Sequence, residues 1–190
     1  MNKILIIGAT GSLAQTVIAA AEKNPKLQLT LFARHPEKLS DGLKANHRVI
    51  QGSALNINDL TAAIKGQDVV YINLAGDLGA MARNIVQVMQ AEKVKRLIAI
   101  SSIGIYDEPV KTVLKPYRAL ADVVEQSGLD YTILRPDWFT HGNEIDYVLT
   151  PKNQAERGSA VSRKSIADFV CKLFVSPDKF IGENLNISKV

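Results

Sequence analysis

The 190-residue chain holds a single cysteine, Cys171, so an intramolecular disulfide is excluded. That thiol lies among Phe169, Val170, Leu173 and Phe174 in a helix-like stretch, which reads as a buried, inert side chain. The three histidines, His35, His47 and His141, are scattered, and without a second thiol no spacing matches a metal site; no metal is expected. No apolar run approaches the roughly 20 residues that span a bilayer. The run Ile4–Ile7 is too short for the apolar core of a secretion signal, so the expected compartment is the cytoplasm, with no membrane partner. Lys and Arg number 23 against 19 Asp and Glu, and they are spread along the chain, which gives nucleic acid no electrostatic footprint. Repeats, low-complexity segments and linkers are missing too, so residues 1–190 read as one domain.

What is present is alternation. Apolar, strand-like runs occur at Lys3–Ile7, Gln28–Ala33, Arg48–Gln51, Asp68–Leu74, Arg96–Ser101 and Asp130–Leu134. Between them lie amphipathic stretches at Leu13–Lys23, Asn58–Ile64, Leu78–Ala91 and Lys111–Gln126, long enough to return the chain to a parallel neighbour. Asn56 is placed to cap the second helix, Asn24-Pro25 stops the first, and Gly128 stands where a helix ends in the left-handed region. Right-handed crossovers then predict an α/β fold with a doubly wound, mostly parallel sheet and helices on both faces. After Pro136 the pattern weakens. Residues 137–162 read as a small substrate or lid segment with a short strand near Tyr147–Leu149, followed by a helix from Ser162 to Phe174 and a last edge strand at Asn184–Ile187.

The first strand runs into Gly8-Ala9-Thr10-Gly11-Ser12-Leu13-Ala14, and a helix follows. Gly8 permits the tight turn, Gly11 lets backbone approach a pyrophosphate, and Ala14 allows close packing of helix on strand. The helix start then points free amides at the phosphates, which makes this a Rossmann-type dinucleotide site. At the end of the second strand an acidic residue would bind the adenosine ribose hydroxyls, whereas an Arg accommodates a 2′-phosphate. The sequence places Arg34 there, with His35 and Lys38 close by and no Asp or Glu between Leu27 and Pro36. NADP(H) is therefore expected in preference to NAD(H).

These motifs resemble the atypical short-chain dehydrogenase/reductases, in particular the small NmrA-like and biliverdin/flavin reductase B-like NAD(P)H-binding proteins. Further matches are Phe32-Ala33-Arg34, Val69 to Gly76, Ser101-Ser102, and Ser127-Gly128-Leu129-Asp130-Tyr131-Thr132-Ile133-Leu134-Arg135-Pro136. The resemblance implies that Gly8, Thr10, Gly11, Ser12 and Leu13 hold the pyrophosphate and that Ser53, Ala54 and Leu55 border the adenine. It also implies that Leu74, Ala75 and Gly76 run under the cofactor, and that Ser101, Arg135 and Pro136 lie toward the nicotinamide. Relatives often carry an acidic residue where Ser53 stands.

Reductases of this group use a Tyr with a Lys four residues on, and a Ser that polarises the substrate carbonyl. Ser101 or Ser102 supplies the Ser. Tyr117 opens a helix, but Ala121 occupies the lysine position, and Tyr117 shares a stripe with Leu120, Ala121 and Val124, so it reads as core or as catalytic. Tyr106 is the alternative, as a proton donor or as a wall of the pocket. Trp138, Phe139, His141 and Tyr147 form either an aromatic lid for a flat acceptor or part of the C-terminal core. Because the cofactor carries the hard chemistry, loss of the Tyr-Lys pair still permits an enzyme. The expectation is an NADPH-dependent oxidoreductase acting on a quinone, a flavin or a small carbonyl compound. The alternative is a non-catalytic NADP(H) sensor of NmrA type, with a regulatory protein partner; a homodimer is open in either case.

Overall fold

In a computed structural model, which describes residues 1–189, the alternating segments assemble around one eight-stranded sheet. The first half comprises β1 (Asn2–Ile7), α1 (Ser12–Ala21), β2 (Leu27–Ala33), α2 (Asp41–Asn46), β3 (Arg48–Gln51), α3 (Ile57–Ile64) and β4 (Val69–Ile72). The second comprises α4 (Leu78–Ala91), β5 (Arg96–Ile100), α5 (Lys115–Glu125), β6 (Asp130–Pro136), β7 (Phe139–Thr140), β8 (Val148–Pro151), β9 (Val161–Ser162), α6 (Arg163–Val175) and β10 (Glu183–Ser188). The strand order is β3-β2-β1-β4-β5-β6-β10-β8, and every pairing is parallel except β10 with β8. This is the doubly wound Rossmann arrangement that the periodicity predicts.

Burial explains the order. Ile4 to Ile7, all of β4 and all of β5 are buried on both faces, as strands covered by helices on two sides must be. β3, which has no fully buried residue, takes an edge. One face of the sheet packs on α1 and α6 through Leu13, Val17, Ile18, Ile166, Val170 and Phe174. The other packs on α3, α4 and α5 through Leu60, Ile64, Ile85, Met89, Leu120 and Val124. Each such side chain, fully buried, contributes about 1.5–3 kcal/mol. Among the described residues no helix is long and apolar enough to cross a membrane.

The local signals hold where they have a named cause. The Asn56 side chain caps α3 by accepting from the amides of Asn58 and Asp59, and Gly128 closes α5 at φ +69°. Two expectations are corrected. The C-terminal strand is not an edge: β10 lies between β6 and β8, and it is buried from Asn184 to Ser188. Its two asparagines look like surface residues in sequence, but they are satisfied inside: Asn184 donates to Tyr106 and Glu125, and Asn186 donates to the Arg135 carbonyl. Between β2 and β3, where the periodicity predicts no helix, stand a 3-10 turn at Pro36–Lys38 and α2. α2 buries no residue and so carries no apolar period; the Ser40 hydroxyl caps it by accepting from Leu43. The fourth predicted helix starts later than Lys111, because residues Thr112–Leu114 form a 3-10 turn before α5.

Candidate functional site

The carboxyl ends of β1, β2, β3 and β4 open onto a cleft of about 370 Å³. Its floor is the turn from β1 into α1. Gly8 sits at φ +91°, and a Cβ there would lie 2.1 Å from the Asn73 carbonyl oxygen, so only glycine lets the ends of β1 and β4 approach this closely. Gly11 has an ordinary backbone, with φ −70°, and its missing side chain keeps the floor open. Thr10, Ser12 and Leu13 complete this wall.

The start of α1 carries no side-chain cap, as is also true of α5, which follows a 3-10 turn, whereas α2, α3, α4 and α6 are capped by Ser40, Asn56, Asp77 and Ser162. Its first-turn amides are thus left for a ligand, and they carry the positive end of the helix dipole. Arg34, His35 and Lys38 line the far side of the cleft, and its lining contains no carboxylate. An uncapped helix start, a glycine floor and a basic end fit a dinucleotide with its pyrophosphate over α1.

Gly52, Ser53, Ala54 and Leu55 form the opposite wall. That loop is pinned by the Ser53 amide donating to Asp59 Oδ2 at 2.9 Å and by Asn84 Nδ2 donating to the Ala54 carbonyl at 3.3 Å. Leu74 and Ala75 line the cleft as well, but Gly76, at φ +107°, falls outside it.

A second cavity of about 810 Å³ adjoins the first and shares Asn73, Leu74, Tyr117 and Phe139 with it. Ser101, Ser102 and Pro136 line this larger space, as do Ile103, Val113 and Trp138. The Ser101 hydroxyl is occupied by the Tyr117 main-chain carbonyl at 3.1 Å, and the Ser102 hydroxyl donates to the Ile103 carbonyl at 3.1 Å. Tyr117 stands at the junction of both cavities in the first turn of α5, while Leu120, Ala121 and Val124 on the same stripe go into the core. Ala121 is completely buried, so the position of the expected lysine is a packing contact.

Tyr106 lines neither cavity. Its hydroxyl donates to Glu125 at 3.3 Å and accepts from Asn184 at 2.7 Å, and its ring lies beneath Lys152, Arg118 and Arg135. Burial raises its pKa, the Glu125 charge adds to the rise, and Lys152 opposes it. This corrects the expectation of Tyr106 as a donor or wall at the nicotinamide end, because the phenol is consumed by a structural network. Arg135 is also displaced from its expected place. Fully buried, it is paired with Glu156 and donates to Asn184 Oδ1 at 2.7 Å, and burial lowers its pKa.

Of the aromatic residues after β6, Trp138 and Phe139 line the larger cavity. Tyr147 meets Phe169 edge-to-face and its hydroxyl donates to Asp168 at 2.9 Å, and His141 lines neither space. Phe32 and Asn73, which lie within the matching motifs but have no site role there, line the cleft, and Met81 and Glu156 are lining residues outside every motif. Asn73 had a signal, since it directly follows β4 at the sheet's carboxyl edge. Glu156 had none, because only the docking of its loop on Arg135 brings it there.

Residues 8–177 match the model of a family described as NAD(P)H-binding. The chain belongs to that family. It is similar to a Rossmann-fold NAD(P)-binding family protein from Shigella flexneri, with 43% identity, a TM-score of 0.91, and coverage of 100% of this chain and 94% of the other. It is 28% identical over 189 residues to the Bacillus subtilis (strain 168) protein YhfK, named an uncharacterized sugar epimerase, covering 88% of this chain and 86% of that one. A short-chain dehydrogenase/reductase from Veillonella parvula, solved in complex with NADP, shares the fold at a TM-score of 0.91 and 23% identity, over 99% of this chain and 94% of its own. Fold, phosphate-loop motif and family match together are those of a Rossmann-type NAD(P)H-binding protein.

Proposed function

We propose that the protein is an NADPH-dependent oxidoreductase whose acceptor is a flat molecule such as a quinone or flavin, or a small carbonyl compound. The observation that carries this reading is the shared wall: the cleft suited to a dinucleotide opens, past Asn73, Leu74, Tyr117 and Phe139, into a second cavity large enough for an acceptor. When bound, NADPH supplies the hydride, and the protein's task is to orient it. Gly8, Gly11 and the first amides of α1 hold the pyrophosphate. Arg34 and Lys38 take the 2′-phosphate, a preference supported by the absence of any carboxylate from the cleft lining. The NADP bound to the Veillonella relative is consistent with the same choice. Ala54 and Leu55 pack on adenine. Tyr117 brings the one phenolic hydroxyl of the shared wall to the acceptor, where it donates a proton to a carbonyl oxygen; quinones and flavins depend on it less.

Ala121 in place of a lysine supports the second reading, a binding protein that senses NADP(H) without turnover. Steady NADPH oxidation with a panel of quinones, flavins and small carbonyl compounds separates the two. The oxidoreductase predicts acceptor-dependent loss of NADPH that Gly11→Arg abolishes. Tight NADPH binding without turnover across the panel would establish the sensor instead.

A further inference from the structure

The two cavities differ in charge. The cofactor cleft is lined by Arg34, His35 and Lys38 and by no carboxylate, whereas the larger cavity is lined by Asp107, Asp137 and Glu156 against a single cation, Lys111. Glu156 is neutralised by buried Arg135. Among the described residues, Asp107 and Asp137 have no Lys, Arg or His within ion-pair reach. The Asp137 carboxylate spends one oxygen on the Trp138 amide at 2.7 Å and keeps the other free. Around these carboxylates the walls are apolar and open: Trp138 is 83% exposed and Val113 75%, so both side chains are free to meet a ligand that enters the cavity.

From this partition we infer that the larger cavity selects a planar acceptor that is neutral or cationic and rejects its anionic counterpart. The inference rests on the oxidoreductase reading above and names the acceptor's charge class. The physical basis is short-range repulsion. A negative charge brought within about 4 Å of a partly solvated carboxylate is disfavoured on the order of fivefold, and more where water is displaced. The basic cleft next door draws the cofactor phosphates to the opposite end, so one molecule separates an anionic ligand from an uncharged one by the sign of each lining.

Trp138 is the only tryptophan in the chain, so its emission reports this cavity without any turnover. The test titrates the full chain, saturated with NADP⁺, with 1,4-naphthoquinone against 1,4-naphthoquinone-2-sulfonate, and with riboflavin against its phosphate ester. The expected result is quenching with Kd at least about fivefold tighter for each uncharged member. In the Asp107→Asn/Asp137→Asn variant the ratio moves toward one. Asparagine keeps the size and the Oδ1 acceptor for the Trp138 amide, and circular dichroism confirms that the variant is folded. Equal or tighter binding of the anionic members, or a ratio unchanged in the variant, overturns the inference, as does no quenching by either pair. NADPH oxidation measured alongside keeps the two readings apart. Charge-selective binding without oxidation defeats the oxidoreductase and leaves the selectivity standing; oxidation without charge preference does the reverse.

Discussion

The Ser101 hydroxyl donates to the main-chain carbonyl of Tyr117 at 3.1 Å, tying the end of β5 to the first turn of α5. Ser101 is buried, and Tyr117 is the residue on which the two cavities meet. Replacing Ser101 by Ala removes this tie. A loss of about 1 kcal/mol is expected in denaturant unfolding, because the carbonyl belongs to a helix and the lost bond is a single neutral one. Ser102→Ala, at a half-buried serine that bonds only the adjacent Ile103 carbonyl, should stay within about 0.5 kcal/mol of wild type. Equal effects of the two changes would contradict this assignment.

Gly8 and Gly11 should separate fold from binding. An alanine at Gly8 meets the Asn73 carbonyl at 2.1 Å and must adopt φ +91°, so a cost of about 2–4 kcal/mol is expected in thermal unfolding. At Gly11 a Cβ meets the Gly8 carbonyl oxygen at 3.3 Å with an ordinary φ, so Gly11→Ala should fold with nearly native stability and bind the dinucleotide more weakly. A Gly11→Ala protein with unchanged affinity would place the pyrophosphate elsewhere.

Restoring the missing lysine should fail. Ala121 is fully buried against the sheet, so Ala121→Lys forces an ammonium into the core or expels the helix face. Destabilisation of several kcal/mol, seen as a large fall in Tm, is the expected outcome. A stable Ala121→Lys protein with raised carbonyl-reductase activity would show that the side chain reaches the cleft.

The sheet was legible because its central strands are apolar on both faces, as Ile4 to Ile7 announce, and the phosphate loop because Gly8 and Gly11 fall between a strand and a helix. Arg34 was readable for the same reason: the end of β2 is a fixed place in the fold. Tyr117 was ambiguous because its stripe with Leu120, Ala121 and Val124 is a true core stripe, and only its position in the first turn brings it out at the cleft. The network of Tyr106, Glu125, Lys152, Asn184 and Arg135 was hidden, since it joins five separate segments. Without the strand order, the asparagines of β10 look solvated. Glu156 depends on a loop conformation that no local periodicity encodes.

Cys171 offers a pH test of the α1–α6 interface. Burial, with a smaller contribution from the Asp168 charge, pushes its thiol from 9.0 up to about 12. The thiolate is therefore scarce in the folded state at any ordinary pH, and alkylation of native protein at pH 8 should be at least about a hundredfold slower than of an unburied thiol. The raised pKa also favours the folded state below the unfolded value near 9.0, a contribution that is lost as pH climbs toward 12. Fast labelling of native protein, followed by mass spectrometry, would mean that α1 does not cover this side chain.

The central claim is that the β1–α1 cleft holds NADP(H) with its 2′-phosphate on Arg34. Fluorescence titration with NADPH and with NADH, for wild type and Arg34→Ala, tests it most directly. The account predicts tighter binding of NADPH and, in Arg34→Ala, a loss of about 1.5–3 kcal/mol confined to NADPH, as befits a charge-assisted contact to phosphate. Equal affinities in wild type, or a preference that survives in Arg34→Ala, would contradict it.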